Sequence, residues 1–331
     1  WLKFFRCRFP CSKVAMRVSV LLPIALAGKF DCPALPAIPA PKDISQLHPS
    51  HVGIVMAVGD SITAAFSARS DVDEARDISW AIGEGSAQNL TLPFLLSQYS
   101  AKVEGASTKA VIPADVFNLP HNDYHPKTDN LNVAESEGSA NRGSFDEEWA
   151  FLASGAKKYA DFDDQWKVLT VWMMANDFDG DCNGPVEESA HYKVWESKVD
   201  EFLTNVTASW SKIYINLVST LDLSNIHRIQ QSRAGCKLVH KLIDEGGCID
   251  YGNSTQMQML DRNIHWLNTR QHKFAQDWQT KLKSAGRTDV AVVAQPFMEG
   301  IGSLFDWTFL SELDCFHPSA KAHQMLAIGL W

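Results

Sequence analysis

Four short apolar runs, widely separated, constrain the fold of this 331-residue chain more than any other feature. They span Gly53 to Val58, Val168 to Met173, Ile213 to Val218 and Asp289 to Ala294, with a weaker fifth at Asn130 to Ala134. Short continuous apolar runs rich in β-branched residues belong to strands covered on both faces, which implies a parallel sheet. Between them the apolar period becomes helical. Tyr192, Trp195, Val199, Phe202 and Val206 step by three and four residues, as do Leu260, Ile264, Leu267, Phe274 and Trp278 once Gln271 is admitted; such stripes face a core, and their aromatics read as packing. Strands alternating with helices predict a doubly wound α/β fold around a mostly parallel sheet. Ligands of such folds bind beyond the carboxyl ends of the strands.

The two ends of the chain differ. Residues 1–27 read as a signal peptide with an upstream extension: Met16-Arg17 opens a short basic region, Val18 to Leu26 is largely apolar, and Ala25-Leu26-Ala27 supplies small residues for cleavage. That run is too short to span a bilayer. Residues 28–47 are expected to form a lead-in rich in Pro and Ala, and residues 48–331 a single folded domain. The net charge is −9, and the first 27 residues hold five cations and no acid, so the body is more acidic still. An acidic body without a basic stripe excludes nucleic acid as a partner and disfavours strong attraction to an anionic membrane.

Secretion brings the remaining signals into agreement. Asn89, Asn205 and Asn253 each open an Asn-x-Thr or Asn-x-Ser/Thr glycan acceptor tripeptide. Of the 7 Cys, Cys7 and Cys11 fall in the removed part. Cys32, Cys182, Cys236, Cys248 and Cys315 remain, an odd number that leaves a free thiol or an intermolecular bridge. Cys236 and Cys248 flank a short helical stretch and are the expected disulfide.

Gly53 to Val58 runs directly into Gly59-Asp60-Ser61 and then helix formers, placing Ser61 at a strand's carboxyl end and a helix N-terminus. Backbone N–H groups there are unsatisfied and able to stabilise an oxyanion. Ser and Asp also cap helices, and the tripeptide alone does not separate a cap from a nucleophile. No Gly-x-Ser-x-Gly elbow occurs, which argues against an ordinary α/β-hydrolase. A nucleophilic serine needs a base, and the base an orienting group. Asp314 and His317, three apart, meet that need in a tight turn, and Pro318 is expected to start a last helix. His323 lacks an acid at comparable spacing and is expected to pack within that last helix. His121 and His125 are four apart, yet Asn122, Asp123 and Pro126 make the stretch a loop, so no metal is expected there. Asp177 to Asn183 with Glu188 mimics a calcium loop, but Cys182 occupies the position that needs Gly. A solvated acidic loop bordering the site, with no metal and no cofactor, is expected instead.

Gly59-Asp60-Ser61, Asn176-Asp177 and Asp314-x-x-His317 occur in the order of the GDSL/SGNH hydrolase blocks. Ser79-Trp80-Ala81-Ile82-Gly83, Thr91-Leu92-Pro93, Leu131-Asn132-Val133-Ala134, Asp314-Cys315-Phe316-His317 and the ending Ala327-Ile328-Gly329-Leu330-Trp331 resemble its phospholipase B-like branch. The resemblance covers about residues 50 to 331. It implies a three-layer α/β/α sandwich with a central, mostly parallel sheet of the SGNH-hydrolase, flavodoxin-like type, a triad of Ser61, Asp314 and His317, and an oxyanion hole from the Ser61 N–H, a glycine N–H at Gly138 and the Asn176 side chain. Met174 stands where the family usually has Gly, a change bearing on the pocket or its loop, and the Asn132 to Gly138 block is one residue longer than the family pattern.

The resemblance points to a secreted serine ester hydrolase that releases fatty acid from phospholipids or lysophospholipids through an acyl-serine. Its partners would be a small-molecule or lipid ester and, transiently, a lipid surface, with no obligate protein partner. The alternatives are a secreted esterase for short-chain or acetylated substrates and a catalytically inactive secreted binding protein of the same fold.

Overall fold

The four apolar runs pair in the order in which they occur. In the computed structural model, which describes residues 38–113, 124–239 and 246–331, they form β1 (Val52–Gly59), β2 (Trp166–Trp172), β3 (Ile213–Val218) and β4 (Val290–Gln295). The sheet is parallel throughout, with order β1-β2-β3-β4. Every residue of β1 and β2 is buried, as continuous apolar runs demand. The one cation among them, Lys167, donates its Nζ protons to the Gln165 and Ser211 carbonyls at 2.8 and 3.1 Å. Burial pushes its pKa down to about 8.

The fifth run stops short of a strand. It makes an isolated bridge in which the Ala57 N–H donates to Leu131 O at 3.0 Å and the Val133 N–H to Ala57 O at 3.1 Å. Asn130 adopts φ 55°, and the Asn132 side chain takes the Ala134 N–H, so local turn chemistry competes with the ladder.

Ten helices connect these strands among the described residues: α1 (Ser61–Ala64), α2 (Leu92–Ser97), α3 (Ser144–Ala156), α4 (Ala175–Phe178), α5 (Ala190–Ser209), α6 (Ser224–Gln231), α7 (Ala234–Val239), α8 (Gly247–Tyr251), α9 (Ser254–Ser284) and α10 (Ala320–Leu330). Both helical stripes read from the sequence lie here. Tyr192, Trp195, Val199, Phe202 and Val206 are buried on α5, and Leu260, Ile264, Leu267, Gln271 and Trp278 on α9, with Phe274 half-buried beside them. Helix α5 packs between α3, through Phe145 and Phe202 at 5.2 Å, and α9, where Trp278 Nε1 donates to Asp200 at 2.9 Å. Right-handed crossovers from β1 to β2, β3 and β4 place these three helices on one face. Helices α2 and α10 touch each other, and Tyr99 just beyond α2 stacks on Trp331 just beyond α10.

The bridging segment at Asn132 lies on one edge of β1 and β2 on the other. Connections leaving the carboxyl end of β1 therefore diverge, which opens a crevice where ligands bind in such sheets. The lead-in also engages the body: the Ile44 N–H donates to Thr288 O at 2.8 Å. No helix among the described residues is long and apolar enough to cross a membrane.

The cysteines pair differently from the expectation. Cys236 and Cys248 are both in disulfides but not with each other: Cys182 joins Cys248 and Cys236 joins Cys315. Proximity along the chain misled, because α8 carries Cys248 against the loop after α4, whereas α7 carries Cys236 to the Asp314–His317 turn. Cys7, Cys11 and Cys32 lie outside the described residues.

Candidate active site

The turn after β1 divides two jobs between adjacent residues. Asp60 is the N-cap of α1, its Oδ1 accepting the Ile62 N–H at 2.9 Å. That leaves the Ser61 hydroxyl, at the first helical position, for other chemistry. Helix α1 ends after one turn at Ala65, whose φ of 65° is left-handed. Burial lifts the Asp60 carboxyl to about 7, against the pull of the Ile62 N–H and of His317.

Asp314, Ser61 and His317, 256 residues apart at the extremes, meet at the carboxyl end of β1. Ser61 Oγ lies 2.8 Å from His317 Nε2, and His317 Nδ1 lies 2.8 Å from Asp314 Oδ2. All three are buried. Asp314 Oδ1 accepts the backbone N–H groups of Phe316 and His317 at 2.9 and 3.0 Å, which closes the tight turn read from the three-residue spacing. Burial alone would raise the Asp314 carboxyl, but the attraction of His317 and these hydrogen bonds outweigh it and hold the group below its ordinary value. An ionised carboxylate only accepts, so it selects the tautomer with a proton on Nδ1 and leaves Nε2 to accept from the Ser61 hydroxyl. Phe66 and Phe316 press edge-on against the imidazole at 5.0 and 5.1 Å and limit its rotation. Pro318 does not start the last helix. It bridges Leu310, and Ser319 is the N-cap of α10.

Asn176 reaches the same crevice from α4, just beyond β2. Its Nδ2 donates to the Gly138 carbonyl at 3.0 Å, which orients the amide and leaves a second N–H on the same nitrogen. Gly138 itself is placed close to the nucleophile turn, since a Cβ there would lie 2.9 Å from Gly59 O. Its N–H, however, donates to Glu135 O at 3.0 Å, so its link to the site is its carbonyl rather than the N–H expected. Asp177 is not in a solvated acidic loop. It is buried and accepts from Ser139 Oγ, the Ala140 N–H and both the N–H and the side chain of Asn141, latching the loop that carries Gly138. From the far side, buried Arg76 donates to the Asn132 and Ala134 carbonyls and pairs with buried Glu74.

The sequence matches the family model described as GDSL-like lipase/acylhydrolase over residues 55–330. The chain belongs to the GDSL-like lipase/acylhydrolase family. This is a family of carboxylic ester hydrolases, and its model covers every residue of the hydrogen-bonded chain just described. The sequence is also similar to the membrane-associated phospholipase B1 of Mus musculus (25% identical, over 89% of this chain and 19% of the relative) and of Rattus norvegicus (26%, over 89% and 20%). The Homo sapiens protein of the same name is 24% identical, over 94% of this chain and 21% of its own length. The chain thus spans about a fifth of the length of these relatives.

Two departures from the family pattern resolve into local structure. Met174 is buried in the main core. The longer Asn132 to Gly138 block turns through Glu137 at φ 59°. No group of three or more His, Cys, Asp or Glu able to hold a metal exists among the described residues. His121 lies outside them; the His125 backbone N–H donates to Asp129 Oδ2 at 2.6 Å, while its imidazole Nδ1 stays 3.7 Å from that oxygen. His323 is fully buried and accepts the Trp80 N–H at 3.3 Å. Asn253 is exposed at the start of α9, while Asn89 and Asn205 are half-buried. Sequence reasoning missed Asp177, Arg76 and Glu148 as supports of the site. The adjacency of Asp177 to Asn176 was the one available signal.

Proposed function

We propose that this protein is a secreted serine ester hydrolase that releases fatty acid from phospholipids or lysophospholipids. The observation that carries the proposal is the buried chain Ser61 Oγ, His317, Asp314, with 2.8 Å at each link. His317 Nε2 takes the Ser61 proton as Oγ attacks the ester carbonyl. The carbonyl π electrons move onto oxygen, and the Ser61 N–H and the free N–H of Asn176 hold that charge. The tetrahedral intermediate expels the alcohol, which takes the proton from His317. Water, deprotonated by the same imidazole, then attacks the acyl-serine; the acid leaves as the C–Oγ bond breaks and the imidazolium returns the proton to Ser61 Oγ. A donor of the Asn176 kind typically contributes ~10²–10³ in rate.

The phospholipid assignment is supported by the similarity to the membrane-associated phospholipases B1. The two disulfides and the exposed acceptor at Asn253 support an oxidising, secretory route. The test is fluorophosphonate labelling followed by product analysis on phosphatidylcholine and lysophosphatidylcholine. Wild type is expected to be labelled and to release fatty acid, and Ser61→Ala to do neither. Equal labelling of Ser61→Ala would refute the nucleophile. Labelled enzyme that cleaves acetyl esters but releases no fatty acid would refute the substrate class.

A further inference from the structure

We propose that Glu148, on α3, is a positioning residue that sets the turn carrying the nucleophile; the inference rests on the assignment of Ser61 above. Glu148 is fully buried, and its Oε2 accepts the Gly59 N–H at 2.9 Å from 89 residues away. The need for such an acceptor follows from the sheet. Beside β1 the bridging segment supplies the Val133 N–H to Ala57 O. Gly59 O is still met by the Glu135 N–H at 3.1 Å, but the Gly59 N–H has no strand to donate to. A buried N–H needs a partner, and α3 delivers the carboxyl to it. Gly59 is thus held at both polar groups two residues before Ser61.

The turn tolerates little error. A Cβ at Gly59 would lie 2.4 Å from Trp172 O and 2.5 Å from Thr63 Oγ1, so the backbone there is pressed between β2 and α1. Losing the carboxyl would free the end of β1 to shift, and Ser61 Oγ with it, away from His317 Nε2. A misplacement of about 1 Å in a reacting group costs on the order of 10²-fold in rate. The surroundings also define the chemical form. Burial first, then the charges of Glu135 and Asp60, push the Glu148 carboxyl well above the usual carboxylate range, against the pull of the Gly59 N–H and Arg76. Glutamine keeps the accepting oxygen and closely matches the shape of the carboxyl, without its charge.

The test compares Glu148→Gln, Glu148→Ala and Glu148→Asp in the full chain on a soluble p-nitrophenyl ester, with active sites counted by fluorophosphonate titration. Glu148→Gln is expected to keep kcat within about threefold, because its amide oxygen accepts the same N–H. Glu148→Ala and Glu148→Asp, which cannot reach Gly59, are expected to lose ~10–10²-fold in kcat per titrated site with KM within about twofold. Should Glu148→Ala fail to fold, the Gln and Asp variants alone decide. Wild-type kcat in the Asp or Ala variant, or a Gln variant as impaired as Asp, would overturn the proposal. Ser61→Ala in the same series keeps the two questions apart: activity near wild type there sinks the nucleophile assignment whatever Glu148 does.

Discussion

Replacing Asp314 by asparagine tests the hydrogen-bonded chain at its least visible link. Asp314 Oδ1 accepts two backbone N–H groups, from Phe316 and His317, at 2.9 and 3.0 Å. In the amide that position must remain oxygen, because an NH₂ there would face two donors and forfeit both bonds, at about 1 kcal/mol each or more when buried. Nδ2 then faces His317 Nδ1 and donates to it. The imidazole proton moves to Nε2, where it points at Ser61 Oγ and can no longer accept. Shape and packing are unchanged, so the loss is chemical. In Ser-His-Asp sites this tautomer error costs on the order of 10⁴ in kcat, about 5.4 kcal/mol at 1.36 kcal/mol per decade. The measurement is kcat/KM of Asp314→Asn on a soluble p-nitrophenyl ester between pH 6 and 9, alongside urea unfolding. A loss of ~10³–10⁴ with an unfolding midpoint close to wild type is expected. Activity within tenfold of wild type would refute the argument that Asp314 sets the tautomer.

Two further outcomes follow from groups outside the reacting chain. His323 is fully buried, and burial, then the charge of His317, lower its pKa to about 3 from 6.5. Below pH 6.5 the unfolded chain binds a proton that the folded one refuses, so this contribution to stability is complete above that pH and is lost progressively down to about 3. The slope is about 1.4 kcal/mol per pH unit, or ~2 kcal/mol between pH 6.5 and 5. In His323→Asn this part of the acid sensitivity should vanish, and urea midpoints of the two proteins compared at pH 7.5 and 5 would show it; parallel pH dependence would count against the assignment. The Cys236–Cys315 bridge closes a separation of 79 residues onto a residue held at φ 59° between Asp314 and His317. Removing both cysteines as serines should lower stability by about 4.5 kcal/mol on the loop-entropy estimate. Activity should fall at temperatures where the variant is still folded, because the Asp314–His317 turn loses its tether; unchanged kcat in the folded variant would show that the turn holds its shape alone.

Much of this architecture was legible in the residues, because its determinants are local. The apolar runs became the four strands within a residue or two at each end, and the 3.6-residue stripes became α5 and α9. Asp314 and His317 were legible as a pair because their three-residue spacing is itself a turn. Ser61 could be linked to them across 256 residues only because a nucleophile requires a base, a chemical demand that stands in for distance. The fifth run failed as a strand for a reason just as local: Asn130 and Asn132 spend their conformations and side chains on turns.

Ser61 at the end of an apolar run, beside a capping Asp60, was determined by sequence alone, because strand, turn and cap are each decided within a few residues. Tertiary structure decided what surrounds it. Cys182 found Cys248 across 66 residues, Asp177 latched Ser139 to Asn141, and Glu148 reached Gly59 across 89. These partners carry no mutual signature in the sequence, since a thiol or a buried carboxyl accepts any suitable group brought to it. Packing of α3, α7 and α8 against the sheet and its loops chose which group that would be.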